Sequence, residues 1–516
     1  LTGLGAIAVL RATMLPTVGT WDTAEAQVIG PTLGTMHPTG FPAYVVLGWL
    51  TTAVLRPLGS PAFLMNLLSV LLVGAAVAGS VLVARRLEAP LPVAVAVGTG
   101  FALTPIVWGI GTAADVHALH IALVVAVTLG LLRWASLVDR WRMDPADGGA
   151  RRTADRAIVL TAGVFGVAVA NHALALLLVP AIGLYVLAVE PGVLRRPRLI
   201  AAALGVSLGV AALLYLELPL RAGPFRAPLV YGHPETWSGF WSIVLASQFQ
   251  GDVVGPFGDL GGKLAGLADI ATSQFGPLAV LVPAGLLVTA VRFPRYALLS
   301  FAATLVTCLF AASYVNARID RYYLGPAFFA WTWIGVLATT VVDRIAGRPE
   351  RDALDTVAPP RADPGPTPGR LTPRSAVALA MAAVLVVPTG VALRDRWTAA
   401  DRSQETWVAR WLDEALSTIE PDAVVVSWWS YSTPLWYAQI VEGRRPDIWI
   451  VDDRTRLDLD LGEVEDVIDA NLGRRPVYVM RVTASDIQNL GQRFKIEPAG
   501  QPGNLYLVTG RQETNP

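Results

Sequence analysis

The feature that most constrains this chain is a succession of apolar runs, each close to the length that crosses a bilayer. They lie at approximately 61–84, 91–111, 115–138, 199–219, 274–291, 296–314, 322–342 and 375–393. A helical crossing needs about 20 apolar residues, and lipid leaves the backbone no partner but itself, so these runs predict membrane helices. A ninth run, 157–190, is too long for one helix and too short for two full ones. Asn171 and His172 in its middle predict two short helices meeting at a polar tip. The chain opens on Leu1 to Leu15, short of a full crossing, so further residues upstream are expected. That opening leads straight into an acidic motif and does not read as a cleavable signal.

Basic residues orient the set, because Arg-rich loops stay on the cytoplasmic side. Arg85-Arg86, the loop Arg133 to Arg156, Arg195 to Arg198, Arg292 with Arg295, and the loop Arg344 to Arg374 are therefore expected inside. The segments around Asp22, around Asp115, 220–273, Asn316 to Arg321, and the tail from Arg394 then fall outside. This parity requires that 39–58 not cross. Phe41 to Leu55 is accordingly read as an interfacial helix within a first outer loop at 16–60, started after Pro42 and anchored by Tyr44 and Trp49. The result is a mainly α polytopic protein of about eleven spans over 1–393, with its N-terminus inside.

Composition excludes several classes. Hydrophobic residues make up 53% of the 516 and charged ones 16%, with mean hydropathy +0.51, which fits a membrane protein and no soluble fold. Net charge is zero, so no basic field suggests nucleic acid. A single cysteine, Cys308, rules out an internal disulfide or a thiolate metal site. The cytoplasmic segment 343–374, rich in Pro, Gly and charge (Pro359-Pro360, Pro364-Gly365-Pro366), reads as a disordered linker. Beyond it, 394–516 changes character. Ala423 to Ser427, Ile448 to Val451, Val477 to Met480 and Leu505 to Val508 read as short strands, with helices near Pro434 to Val441 and 461–472 between them. That order predicts a small extracytoplasmic α/β domain with parallel pairing.

The outer segments carry the chemistry. Asp22, Glu25 and His37 come from the first, Asp115 and His117 from the second, Arg221 and His233 from the third, Arg318, Arg321 and Tyr322 from the fourth. Acids this close to a membrane boundary need a reason. Moving a sugar from a lipid phosphate to an alcohol needs a base beside the acceptor hydroxyl and cations beside the departing phosphate, which a carboxylate and guanidinium groups supply. Asp22 is assigned as catalytic base with Glu25 beside it, and the other eight residues as donor-binding groups. Each has a bland counterpart. Asp22 and Asp115 also suit helix N-caps, the histidines lack metal-ligand spacing, and Arg318 and Arg321 could snorkel to the surface.

Trp21 to Glu25, followed by Leu33-Gly34 and His37-Pro38-Thr39-Gly40-Phe41-Pro42-Ala43-Tyr44, resembles the opening signature of the protein O-mannosyltransferase-like membrane family of the GT-C superfamily. That pattern is Asp-Ser-Gly-Glu, Leu-Gly, then His-Pro-Pro-Gly-Tyr-Pro-Leu-Tyr. Trp108 with Asp115-Val116-His117, Tyr231 to Phe240, Asp320 to Leu324 and Arg445 to Ile448 match further elements in the same order. The resemblance implies a polyprenyl-phosphate-linked sugar donor, mannose being one candidate sugar, a protein or glycan acceptor presented outside, and Asp22 as the base of an inverting displacement in the inner membrane. It leaves metal dependence open, since two or three carboxylates could hold one divalent ion. Asp115 and His117 replace the family's Glu and Tyr, and Ser427 to Ser432 replaces an acidic turn. The alternatives are a transporter or flippase of lipid-linked sugars, which would place its ionisable residues near the midplane, and a membrane-anchored sensor.

Overall fold

The structure, a computed structural model, describes all residues except 256, 316–317, 349–371, 482 and 513–516. The expected disordered linker, with both its Pro-rich sites, falls mostly on 349–371, outside the described residues. Among the described residues eight helices are long and apolar enough to cross a membrane: Pro61–Arg86, Val116–Met143, Gly148–Asn171, Pro197–Ala222, Leu260–Arg292, Pro294–Ala311, Ile319–Ala346 and Pro373–Val391. A ninth would be the pair Leu91–Ala102 and Pro105–Gly111, bent by 67°. The bend falls before Pro105, whose ring cannot continue a helix but starts one well. Eleven crossings would require counting Thr2–Ala12 and Ala173–Val189 as well, both shorter than the membrane needs.

Helix starts follow local chemistry. Ser60 accepts from the Phe63 N–H at 3.3 Å ahead of Pro61, and Thr372 accepts from Ser375 at 3.1 Å ahead of Pro373. Pro61–Arg86, Val116–Met143 and the helix continuing from Leu324 to Ala346 form the centre, where Trp108, Trp134 and Trp331 are buried. A side chain on Gly100 would strike the Trp331 ring at 2.2 Å, so only glycine lets that indole sit against its helix. The flank Pro197–Tyr215 instead exposes Leu204, Leu208 and Leu213, a face that lipid covers.

The run 157–190 departs from expectation. Gly148–Asn171 is a full-length helix that begins inside the expected Arg-rich loop, and the chain breaks at His172 before the shorter apolar segment. The Arg-rich segments meet one another at one end of the bundle. Arg292 bonds Glu88 at 3.0 Å and Asp343 at 2.9 Å, Arg374 bonds Asp343 at 2.7 Å, and Arg295 bonds Asp139 at 3.0 Å. Helix Pro61–Arg86 starts at the opposite end, where the Ala62 N–H reaches the Tyr437 hydroxyl at 3.2 Å and Gln27 reaches Asn66. Helix Pro42–Val54, at 13 residues, is shorter than a crossing needs. Trp49 is exposed on it as an anchor would be, whereas Tyr44, read as a second anchor, is wholly buried in the core.

The tail folds as a five-stranded sheet: β1 (Val424–Val426), β2 (Trp449–Val451), β3 (Val477–Met480), β4 (Phe494–Pro498) and β5 (Leu505–Arg511), in order β2-β1-β3-β5-β4. β1 pairs in parallel with β2 and β3, as expected, and β5 runs antiparallel to β3 and β4. Alternation sends Val424, Val426, Val451, Val477 and Val479 to a face covered by helices Val464–Asn471 and Ala484–Gly491. Val425, Ile450, Tyr478 and Met480 face helices Trp407–Thr418 and Trp429–Trp436, and this layer continues into Val18, Ala24 and Val28 of the first segment. The sheet domain is thereby seated on the helix that carries Asp22.

Candidate active site

Helix Trp21–Thr32 begins after Thr20, whose side chain makes no cap bond. Asp22 is not the cap either. It lies in the first turn, where the helix dipole favours a carboxylate, and 40% of its side chain stays open. One turn on, Glu25 is fully buried and accepts from the His37 N–H at 2.8 Å while its second oxygen meets His37 Nδ1. The loop reaches back to make this contact through a tight turn, with Gly40 N–H donating to the His37 carbonyl at 2.8 Å and Gly40 at φ +81°, a conformation that favours glycine.

Asp115 does two things at once. Its Oδ1 caps helix Val116–Met143, accepting from the His117 N–H at 2.8 Å and meeting His117 Nδ1 at 2.8 Å; its Oδ2 accepts from Arg321 Nη1 at 3.2 Å. The other arm of the guanidinium, Nη2, donates to Asp22 Oδ2 at 3.2 Å. Burial pushes the Asp22 carboxyl up, but the His37 and Arg321 charges outweigh it and hold it below its ordinary value. Burial likewise opposes Asp115, and Arg321 with His117 hold that group well down. For His37 burial favours loss of the proton, yet the Glu25 carboxylate prevails and lifts it to about 9.

A shelf of rings lies beside the acids. His117 is 4.8 Å from His172 and 5.7 Å from Tyr322, centroid to centroid, and His120 is 5.8 Å from His172. Tyr322 continues into a stack with Tyr314 and Phe310. His117 Nε2 and His120 Nδ1 are buried and have no hydrogen-bond partner among the described residues.

The structure thus brings together Asp22, Glu25, His37, Asp115, His117, Arg321 and Tyr322, and does not bring three of the expected residues. Arg221 donates from Nε to the Leu33 carbonyl at 2.8 Å and from Nη2 to Thr32 at 3.0 Å, closing the far end of the Asp22 helix. His233 is half exposed and ties Glu235, at 3.1 Å, to the Asp458 carbonyl, at 2.9 Å. Arg318 is 65% exposed, with Asp320 its nearest acid at 3.8 Å.

Sequence reasoning missed Asn66. Its amide donates to Leu15 O at 2.9 Å and Thr17 O at 3.1 Å and accepts from Gln27 and the Ala114 N–H, each at 2.9 Å. It thereby fixes the Asp22 and Asp115 segments to one helix; a lone Asn inside an apolar run was the available signal. It also missed His120. Trp429, within the Ser427 to Ser432 stretch that departs from the family pattern, lies with its ring edge-on to His37 at 6.3 Å.

Asp22, Glu25 and His37 each offer a ligand atom within 4.8 Å of the others. Two carboxylates and an imidazole fit a divalent cation of the zinc or manganese kind, provided the Glu25 contact to His37 opens to admit it. A cavity of about 570 Å³ is lined by Val254, Gly262, Lys263, Leu267, Ile270 and Tyr323, the last of them on the same turn as Arg321. No member of the acid cluster lines it.

Residues 22–194 match the family model of the Protein O-mannosyl-transferase TMEM260 N-terminal domain, a stretch that holds both the Asp22 and Asp115 motifs. The family expected from those motifs is the one this match describes. The fold resembles ArnT from Cupriavidus metallidurans bound to undecaprenyl phosphate, at 14% identity and a TM-score of 0.59, over 98% of this chain and 97% of that one. It also resembles the Archaeoglobus fulgidus oligosaccharyltransferase complexed with zinc and sulfate, at 14% identity and 0.53, over 99% and 75%. The same enzyme tethered with an acceptor peptide matches at 13% identity and 0.55, over 100% and 74%. No curated protein sequence matches the chain. The chain is a multi-pass membrane protein with the GT-C fold of these glycosyltransferases.

Proposed function

We propose that this GT-C-fold protein is an integral membrane glycosyltransferase. It moves a sugar from a polyprenyl phosphate to an acceptor hydroxyl, of a protein or a glycan, outside the cytoplasm at the inner membrane. Mannose is the sugar that the matched O-mannosyl-transferase domain favours. The observation that carries this reading is the single guanidinium of Arg321 held between Asp22 and Asp115.

In the proposed reaction the acceptor oxygen attacks the anomeric carbon and its proton passes to Asp22. The bond from that carbon to the phosphate oxygen breaks, polyprenyl phosphate leaves with the bonding electrons, and the configuration inverts. Arg321 meets the charge that grows on the phosphate. Asp115 holds Arg321 in place, and Glu25 with His37 fix the loop that closes the site. Asp22 paired to Arg321 is a weak base; an arriving phosphate draws the guanidinium toward itself and returns basicity to the carboxylate. The unpartnered His117 Nε2 and His120 Nδ1 suit sugar hydroxyls beside the Tyr322 ring. The cavity past Tyr323, with Lys263 at its wall, suits the lipid end of the donor. A divalent ion on Asp22, Glu25 and His37 would add positive charge beside the phosphate.

A flippase of lipid-linked sugars is disfavoured because these ionisable groups gather at one end of the bundle. The test is the fate of the donor in proteoliposomes. A transferase releases free polyprenyl phosphate only when acceptor is present; donor that crosses the membrane intact, with no release, would reject the proposal.

A further inference from the structure

Outside the acid cluster, among the described residues, Arg454 is a buried cation left with its terminal nitrogens unused. Arg454 lies on the short turn of helix, Asp453–Asp458, that follows β2, and its side chain is only 5% exposed. The guanidinium carbon sits 4.4 Å above the Tyr231 ring and 5.8 Å from that of Trp436. Its nearest carboxylate, Asp458, stands 3.8 Å from Nε and also accepts from the Gly232 N–H at 3.0 Å. Nη1 and Nη2 make no hydrogen bond among the described residues. A guanidinium carries five donors, and burying it with its two forked ends unbonded is costly unless something else arrives to bond them.

Its position says what arrives. Parallel α/β sheets bind ligands beyond the carboxyl ends of their strands, where connections leave in opposite directions. Here Trp429 opens the helix that follows β1, and Arg454 lies in the first turn of the helix that follows β2, with β1 between β2 and β3. Trp429 lies 6.3 Å from both His37 and Tyr231, so the two strand ends face the acid cluster across the joint between the sheet domain and the membrane part. The cluster is flanked on both sides: Arg321 bonds Asp22, and Trp429 links the His37 ring to the Tyr231 ring over which Arg454 lies.

We propose that the two terminal nitrogens of Arg454 hold an oxyanion carried by the acceptor, a carboxylate or a phosphoryl group, which sets the acceptor hydroxyl against Asp22. This rests on the transferase reading, in which Arg321 serves the leaving phosphate and the opposite guanidinium is left for the incoming molecule. The planar fork matches either oxyanion in a two-point contact, and the Tyr231 face beneath it fixes its plane. Arg454 is on this view a specificity-determining residue that touches the acceptor and takes no part in bond breaking.

The test uses the purified full chain and simple probes. Thermal unfolding is followed in acetate, in inorganic phosphate and in chloride at equal ionic strength, for the wild type, Arg454→Met, Arg454→Lys and Arg321→Met. Acetate or phosphate is expected to raise the midpoint over chloride by about 2 °C once it exceeds its Kd several-fold. The rise should vanish in Arg454→Met and persist in Arg321→Met. The stronger of the two anions assigns the acceptor group as carboxylate or phosphoryl. Should Arg454→Met not fold, Arg454→Lys, which keeps the charge but loses the fork, must show less than half of the rise. Protection by undecaprenyl phosphate should be equal in the wild type and Arg454→Met. No protection of the wild type, protection that survives Arg454→Met, or loss of undecaprenyl phosphate protection in that variant would each overturn the inference. None of these readouts needs sugar transfer, so a failure of the transferase reading is seen separately, in the release assay.

Discussion

Arg321 reaches Asp22 across 299 positions of sequence, with Nη2 3.2 Å from Oδ2, and the same guanidinium bonds Asp115 through Nη1 at an equal distance. One cation thereby sets the separation of two carboxylates from different outer segments. It is 13% exposed, so its charge acts with little screening by water.

Arg321→Lys keeps the charge but cannot bridge both acids. Loss of the fork is expected to lower kcat by about 100-fold while the thermal midpoint changes little, as for removal of an electrostatic donor at a developing charge. Single-turnover transfer with saturating donor separates this from weaker donor binding.

The His37 site gives a pH signature. Its folded pKa of about 9 stands above the ordinary 6.5, so the proton it holds against Glu25 contributes stability that is complete below about 6.5 and is lost as pH rises through about 9. The thermal midpoint of the wild type should fall across that interval, and His37→Gln should flatten the fall. Asp22 is held below its ordinary 3.8, so no loss of its base form is expected as pH drops from neutrality to about 5.

Asn66→Leu tests whether the amide that joins the Leu15, Gln27 and Ala114 segments places the acids. It leaves the Ala114 N–H and the Leu15 carbonyl without their partner and removes the shortest of the bonds that the Gln27 Nε2 donates. A loss of about 2–3 kcal/mol in stability is expected, with kcat reduced about tenfold through displaced carboxylates. Full activity in this variant would detach Asn66 from the site.

Arg221→Ala separates two roles for the same residue. Its bonds to Thr32 and Leu33 predict a stability loss of about 1–2 kcal/mol, with the donor KM within a few-fold of wild type. A large rise in donor KM would restore the donor-binding role expected from sequence.

The parts of the site that sequence made legible are those for which the membrane leaves few options. Asp22, Asp115 and Arg321 are costly anywhere but at the wet end of the bundle, so their convergence follows from hydropathy and Arg bias alone. Arg221 and His233 share that end but are bound up in loop and domain contacts, a choice made by backbone geometry that composition does not record. Arg454 was hidden for the opposite reason: set among Asp452, Asp453 and Asp458, it reads as one charge on a solvated helix until the sheet domain folds it under Tyr231. In the tail, β4 escaped because Lys495 and Glu497 alternate on an edge strand, as protected edges do. Tyr44 was read as an anchor because a short apolar helix gives no sign of which face turns inward.

The most direct measurement is transfer by Asp22→Asn from a polyprenyl-phosphate-linked sugar, beside the binding of undecaprenyl phosphate to the same protein. Amide for acid nearly preserves shape and removes only the capacity to take a proton. Transfer is expected to fall by about 10³ with lipid binding retained. Undiminished transfer would contradict Asp22 as the base, and with it the mechanism proposed for this site.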